Sequence, residues 1–167
     1  VGLTNSTNTG NTATDNGGLS AEADFNLTVG QHLRGTASSD TLNYSANSFV
    51  GVAMIDGGAG NDTITGSAGN DIIVGGSGSD NLIGGLSDDT FLVSGTDAGY
   101  DRFEGGAGYD VIQGSAGDDT FRMYQFTGAA TVEKIDGGGG HDIIAGTGSS
   151  DTLDFSATDL VGIAMID

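Results

Sequence analysis

The sequence predicts an all-β fold in which short repeated units stack on one another, and three observations predict it. Residues 57–92 read in nines as GGAGNDTIT, GSAGNDIIV, GGSGSDNLI and GGLSDDTFL. Each nine opens on glycine and carries aspartate at its sixth place and a large apolar residue at its eighth. The same pattern, with insertions, continues from Gly35 to Asp167 as thirteen units, and the eighth place is apolar in all of them. Finally, the chain holds 32 glycines and neither proline nor cysteine. Glycine at fixed positions marks turns, no disulfide braces the chain, and the eighth-place stripe is left as the whole expected core.

Each part of the unit has a physical reason. The last three residues form a short strand whose middle side chain faces inward. One unit cannot bury that side chain alone, but stacked units can. The glycines let the backbone turn sharply, so main-chain carbonyls converge on a point. One carboxylate per turn adds charge there. Carboxylates and carbonyls together are what a hard cation such as Ca²⁺ takes, with six to eight oxygens around it.

The four nines resemble the RTX, or haemolysin-type calcium-binding, nonapeptide repeat. The resemblance implies a right-handed parallel β-roll, a calcium-binding β-solenoid, in which two nines make one coil. Turns eighteen residues apart would then lie on one edge, with several calcium ions between neighbouring turns.

The units run as follows. GTASSDTLN (35–43) carries Asp40 and Leu42, and a stretched unit over 44–56 is anchored by Ile55. The four regular nines supply Asp62, Asp71, Asp80 and Asp89 with Ile64, Ile73, Leu82 and Phe91. Residues 93–104 are stretched, with Asp101 and Phe103; 105–113 and 114–122 are regular, with Asp110, Ile112, Asp119 and Phe121. Residues 123–136 are stretched again, with Glu133 and Ile135. Regular nines then supply Asp142, Ile144, Asp151 and Leu153, and a last stretched unit ends on Ile166.

Two units to a coil puts Leu42, Ile64, Leu82, Phe103, Phe121, Ile144 and Ile166 on one edge. Ile55, Ile73, Phe91, Ile112, Ile135 and Leu153 fall on the other. The candidate calcium pairs are then Asp62 with Asp80, Asp71 with Asp89, Asp89 with Asp110, Asp119 with Asp142, and Asp40 with Asp62; Asp151 is a further ligand. Turn backbone for these sites would come from Gly57, Gly60, Gly66, Gly69, Gly75, Gly78, Gly105, Gly108, Gly114, Gly117, Gly137 and Gly140. The turns of Asp101 and Glu133 lack the double glycine, so both inserts are expected to interrupt the ion rows. Insertions are expected on the turn side of the roll. Asp88, Asp118 and His141 hold fifth places, where a solvated side chain is expected, and His32 reads as a surface residue.

Residues 1–34 do not follow the nines. Two strands are expected around Asn16-Gly17-Gly18, the second over Phe25–Val29 by its alternation. The stretch 11–30 resembles the last strands of a cadherin-like or immunoglobulin-like module; the alternative is a cap or linker. The domain division is therefore 1–34, a short N-terminal β segment, and 35–167, the roll.

Four Lys+Arg against 23 Asp+Glu give a net charge of −19. That excludes nucleic acid and anionic membrane as partners and favours cations. No apolar run is long enough for membrane insertion. No HExxH, GxSxG or cysteine nucleophile occurs, so no enzyme is expected. Residues 146–167 match 35–56 at 15 of 22 positions, a repeat of 111 residues. This points to a calcium-binding structural module of a large secreted or cell-surface bacterial protein, an adhesin or extracellular fibre component. The alternative is the folding and secretion tail of a type I-secreted protease, lipase or epimerase. Self-association through the open solenoid ends or the N-terminal strands is a third expectation.

Overall fold

The computed structural model describes residues 11–12, 19–20, 32–47, 49, 53–96, 99–127 and 130–167. The strand expected over Phe25–Val29 and the turn at Asn16–Gly18 lie outside the described residues.

Glycine and aspartate interrupt the chain so often that strands stay short, from two to seven residues among those described. Every ladder between them is parallel. The chain winds as a parallel β-roll. From Ala53 to Leu86 each coil has two strands: Ala53–Ala59 lies in an eight-stranded sheet, Thr63–Thr65 in a five-stranded sheet, and Asp71–Ser77 returns to the first. Ile55 pairs with Ile73 and Ile73 with Phe91, while Ile64 pairs with Leu82. Each step is the eighteen residues that two nines require.

The parallel pairing also takes in strands ahead of Gly35. His32–Arg34 pairs with Ala53–Ala59, Asn11–Thr12 pairs with His32–Arg34, and Leu19–Ser20 pairs with Thr41–Asn43.

After Leu92 the roll widens from two sides to three, which corrects the expected edges. Thr96 makes a single bridge to Thr120 and Asp101 one to Met123. Phe103 pairs back to Leu82, but Phe121 does not follow it. Thr120–Arg122 instead begins a three-stranded sheet with Asp142–Ala145 and Ile163–Ile166. Gln125–Phe126 forms a further ladder with Thr152–Leu153. Ile135 therefore stacks on Leu160, not on Leu153. The stretched units have enough chain to make a third side, and a third side moves every later strand to a new neighbour.

The core follows the eighth places, and more besides. Leu42, Ile55, Ile64, Ile73, Leu82, Phe91, Phe103, Ile112, Phe121, Ile135 and Ile144 are all buried. Leu33, Met123, Phe126, Ala130 and Val132 are buried with them. The eighth-place stripe is thus not the whole core. The 123–136 insert enters the interior, where a solvent-side turn was expected, because its own apolar residues fill the space the third side opens. Ile166, the last eighth place, is 51% exposed.

Candidate metal centre

The sixth-place aspartates are the most deeply buried charged groups among the described residues. Asp62, Asp71, Asp80, Asp89, Asp110, Asp119 and Asp142 are each 2% exposed or less; Asp40 and Asp151 are half-buried. A buried carboxylate is tolerated only where hydrogen bonds or a cation meet it. Half of that requirement is met by the preceding coil. The Asp40 amide donates to Asp62 Oδ1 at 2.8 Å, the Asp62 amide to Asp80 Oδ1 at 2.8 Å, and the Asp80 amide to Asp101 Oδ1 at 3.0 Å. On the other edge Asp71 donates to Asp89 Oδ1 and Asp89 to Asp110 Oδ1, both at 2.8 Å, and Asp110 to Glu133 Oε2 at 2.7 Å. On the third, Asp119 donates to Asp142 Oδ1 at 2.9 Å.

All five predicted pairs are brought together. The hydrogen-bonded rows also run on through Asp101 and Glu133. A glutamate side chain is one methylene longer, and an insert supplies slack, so both still reach the amide of the preceding coil.

The other half of the requirement is left open. Oδ2 of Asp62, Asp89, Asp110 and Asp142 and Oδ1 of Asp71 are buried and accept no hydrogen bond. First-place glycines line the space beside these carboxylates. A Cβ on Gly57 would collide with Asp62 Oδ2 and with the carbonyl of Gly75, one coil on; a Cβ on Gly84 would collide with Asp89 Oδ2 and the carbonyl of Gly105. Glycine is required there because carboxylate and carbonyl oxygens crowd the position. The second-place glycines have a different constraint: Gly58 and Gly76 sit at φ 103° and 99°, a conformation L side chains rarely adopt.

Two turn types result. Where the unit opens with two glycines, the double-glycine turn forms as above. Where it opens Gly-Ser, the serine takes over. Ser67 N donates to Asp71 Oδ2 at 2.6 Å and Ser67 Oγ accepts from Gly69 N at 3.2 Å. Ser115, Asp119 and Gly117 repeat this. Gly69 and Gly117 thus keep ordinary backbone angles, unlike Gly60, Gly78, Gly108 and Gly140, all at positive φ.

Sequence reasoning missed a second ladder, made by the fifth places. Here the amide of the later coil donates to the side chain of the earlier one. Asn61 N reaches Ser39 Oγ and Ser79 N reaches Asn61 Oδ1, both at 3.0 Å; Tyr100 N reaches Ser79 Oγ at 2.9 Å. Tyr109 N reaches Asp88 Oδ1 and His141 N reaches Asp118 Oδ1, both at 2.8 Å. Asp88 and Asp118 are exposed but bonded, and the polar short residues at fifth places were the signal. His32 is a surface residue 3.5 Å from Asp56.

Electrostatics point the same way as the open oxygens. Burial pushes the Asp62 carboxyl up to about 6, against the Asp40 amide, with the charges of Asp80, Asp40 and Asp56 adding to the rise. Burial pushes Asp89 up to about 7, against the Asp71 amide, with Asp71, Asp110 and Asp88 adding. Asp71 and Asp110 are raised as well, by burial first. Such a site favours either a proton or a cation. Among the described residues no three His, Cys, Asp or Glu side chains gather on one point. A cation here is offered carboxylates in pairs, with backbone carbonyls completing the shell, an all-oxygen set suited to calcium.

The chain matches the RTX calcium-binding nonapeptide repeat, a family description of four copies, over residues 55–91, 96–122 and 127–157. It belongs to that family. The matched segments cover more than half of the RTX chain and take in all seven of the buried sixth-place aspartates. Comparison with curated proteins and with solved structures gave no match. Among the described residues of the RTX roll, no helix is long and apolar enough to cross a membrane.

Proposed function

We propose that this RTX roll is a structural module that folds on calcium, within a large secreted or surface-attached bacterial protein, and that it carries no catalysis of its own. The observation that carries the reading is the open buried oxygen on five sixth-place carboxylates, those of Asp62, Asp71, Asp89, Asp110 and Asp142, beside carboxylates tied from coil to coil. Calcium sits beside the first-place glycines, between successive turns on one edge, bound by paired aspartates and main-chain carbonyls. An adhesin or extracellular fibre component is the favoured parent, supported by the 111-residue repeat. Extracellular millimolar calcium suits a chain with −19 net charge, since ions bound to the folded state stabilise it by mass action. A calcium titration followed by circular dichroism tests the reading. The β signal should rise cooperatively with calcium and collapse on chelation; an unchanged spectrum refutes it.

A further inference from the structure

The place where the two-sided roll meets the three-sided one holds a pocket. In the regular coils the eighth-place side chains close the interior. After Leu92 the chain leaves its ladder, and a cavity of about 320 Å³ opens, at the small end of the range for bound ligands. Val74, Leu92 and Val93 give it an apolar wall, and Arg122 and Asp101 give it its charges.

Arg122 is the odd one among the chain's four basic residues. The other three each meet a carboxylate: Arg34 with Asp56 at 3.2 Å, Arg102 with Glu104 at 2.8 Å and Lys134 with Asp136 at 2.6 Å. Arg122 meets none among the described residues, in a chain with 23 acidic ones. Its guanidinium lies over the Tyr100 ring, 5.7 Å from the centroid. Nη1 reaches Tyr100 Oη only at 3.5 Å, and Nε is buried and donates to nothing. Contact through the face of the group spends no N–H, so nearly all of its donors are left over. A half-buried guanidinium without a counter-ion is costly, and an anion in the pocket removes that cost.

We propose that this pocket binds a small organic monocarboxylate, its carboxylate on the Arg122 guanidinium and its hydrocarbon body against Val74, Leu92 and Val93. A planar carboxylate matches the guanidinium fork. Asp101 limits the charge that the site accepts. Its Oδ1 takes the Asp80 amide at 3.0 Å, and one arginine beside one aspartate suits a single negative charge, not the two of a phosphate. The site stands on the pocket and on Arg122, and needs nothing from the calcium reading.

The test titrates the full chain, folded in calcium, with hexanoate and with benzoate, and follows the Arg122 Nε–H signal by nuclear magnetic resonance. Its loss in Arg122→Lys assigns that signal. Both carboxylates should shift it saturably at millimolar concentration, and hexanamide and benzamide should not. Arg122→Lys keeps the charge but loses the fork, and should weaken binding by about tenfold or more, read from the line widths of the ligand. Ser94→Tyr, at an exposed position that lines the pocket, should weaken binding with Arg122 intact. Circular dichroism of both variants in calcium should match that of the parent chain, which tells a lost site from a lost roll. No saturable shift with either carboxylate would overturn the proposal. So would equal shifts from the amides or from chloride, or full affinity in Arg122→Lys.

Discussion

Asp62 and Asp80 lie eighteen residues apart in sequence and one coil apart in space, joined by the Asp62 amide donating to Asp80 Oδ1 at 2.8 Å. One side chain thereby serves two ends. Its first oxygen ties the coils together, and its carboxylate stays positioned beside the glycine turn for a cation. The contrast with Asp88 follows from this. Asp88 is exposed and accepts one hydrogen bond, from Tyr109 N, on the outer ladder.

Asp80→Ala should therefore weaken the roll more than Asp88→Ala. The first strands the buried Asp62 amide and removes a candidate ligand, a loss of about 2 kcal/mol or more. The second exposes an amide that water can reach, costing about 0.5 kcal/mol. Calcium titration and thermal melting of both variants check this. Equal losses of calcium affinity would mean the sixth place is not the ligand position.

Glycine substitutions should split by crowding. Gly57→Ala drives a methyl group against Asp62 Oδ2 and the Gly75 carbonyl and should cost about 1–3 kcal/mol. Gly148 has nothing within 4 Å of its added Cβ, so Gly148→Ala should stay within about 0.5 kcal/mol. Melting temperatures in saturating calcium read the difference, and a Gly148→Ala loss as large as that of Gly57→Ala would refute the crowding argument.

Acid should partly replace calcium. In the ion-free roll the Asp62 and Asp89 carboxyls are raised from 3.8 to about 6 and about 7. Folding then favours their protonated form. The stabilising contribution is complete below the unfolded value and is lost as pH rises through about 6 to 7. Asp136, held low by its bond to Lys134, works the other way, and only toward the acid end. Chelated protein should show more β signal at pH 5 than at pH 8. A chelated sample with the same signal at both values would count against proton–cation exchange at these carboxylates.

Calcium depletion should open the roll first at residues 93–101. Among the described residues that stretch belongs to no continuous strand ladder, its β-pairing being single bridges at Thr96 and Asp101, and a pocket of ≈ 320 Å³ lies beside it. The 123–136 insert is also stretched, but it is not expected to open with that stretch. Burial of Met123, Phe126, Ala130 and Val132 now argues that it holds longer. Residues 57–92, with the most regular ladders, should hold longest, since solenoid stability is close to a sum of unit and interface terms. Hydrogen exchange at limiting calcium orders the three. Loss of protection at 57–92 before 93–101 would refute the ranking.

Between Gly57 and Leu92 the sequence by itself determined almost everything: strand positions, the inward side chain, the eighteen-residue step and the aspartate pairs. Period and parity leave no other register there, because a slip by one residue would turn Ile64 or Ile73 out of the core. Asp119 with Asp142 was legible for the same reason, since both nines are regular. The tertiary structure alone decided what the inserts do. Nothing local says whether residues 123–136 bulge outward or fill the interior. That depended on Phe126 finding Leu153, a residue 27 places on, and on the space left once Phe121 turned away from Phe103. Leu160 joined Ile135 only because Leu153 was already taken. Parallel pairing is a choice among distant partners, and once the nine-residue period breaks, packing makes that choice.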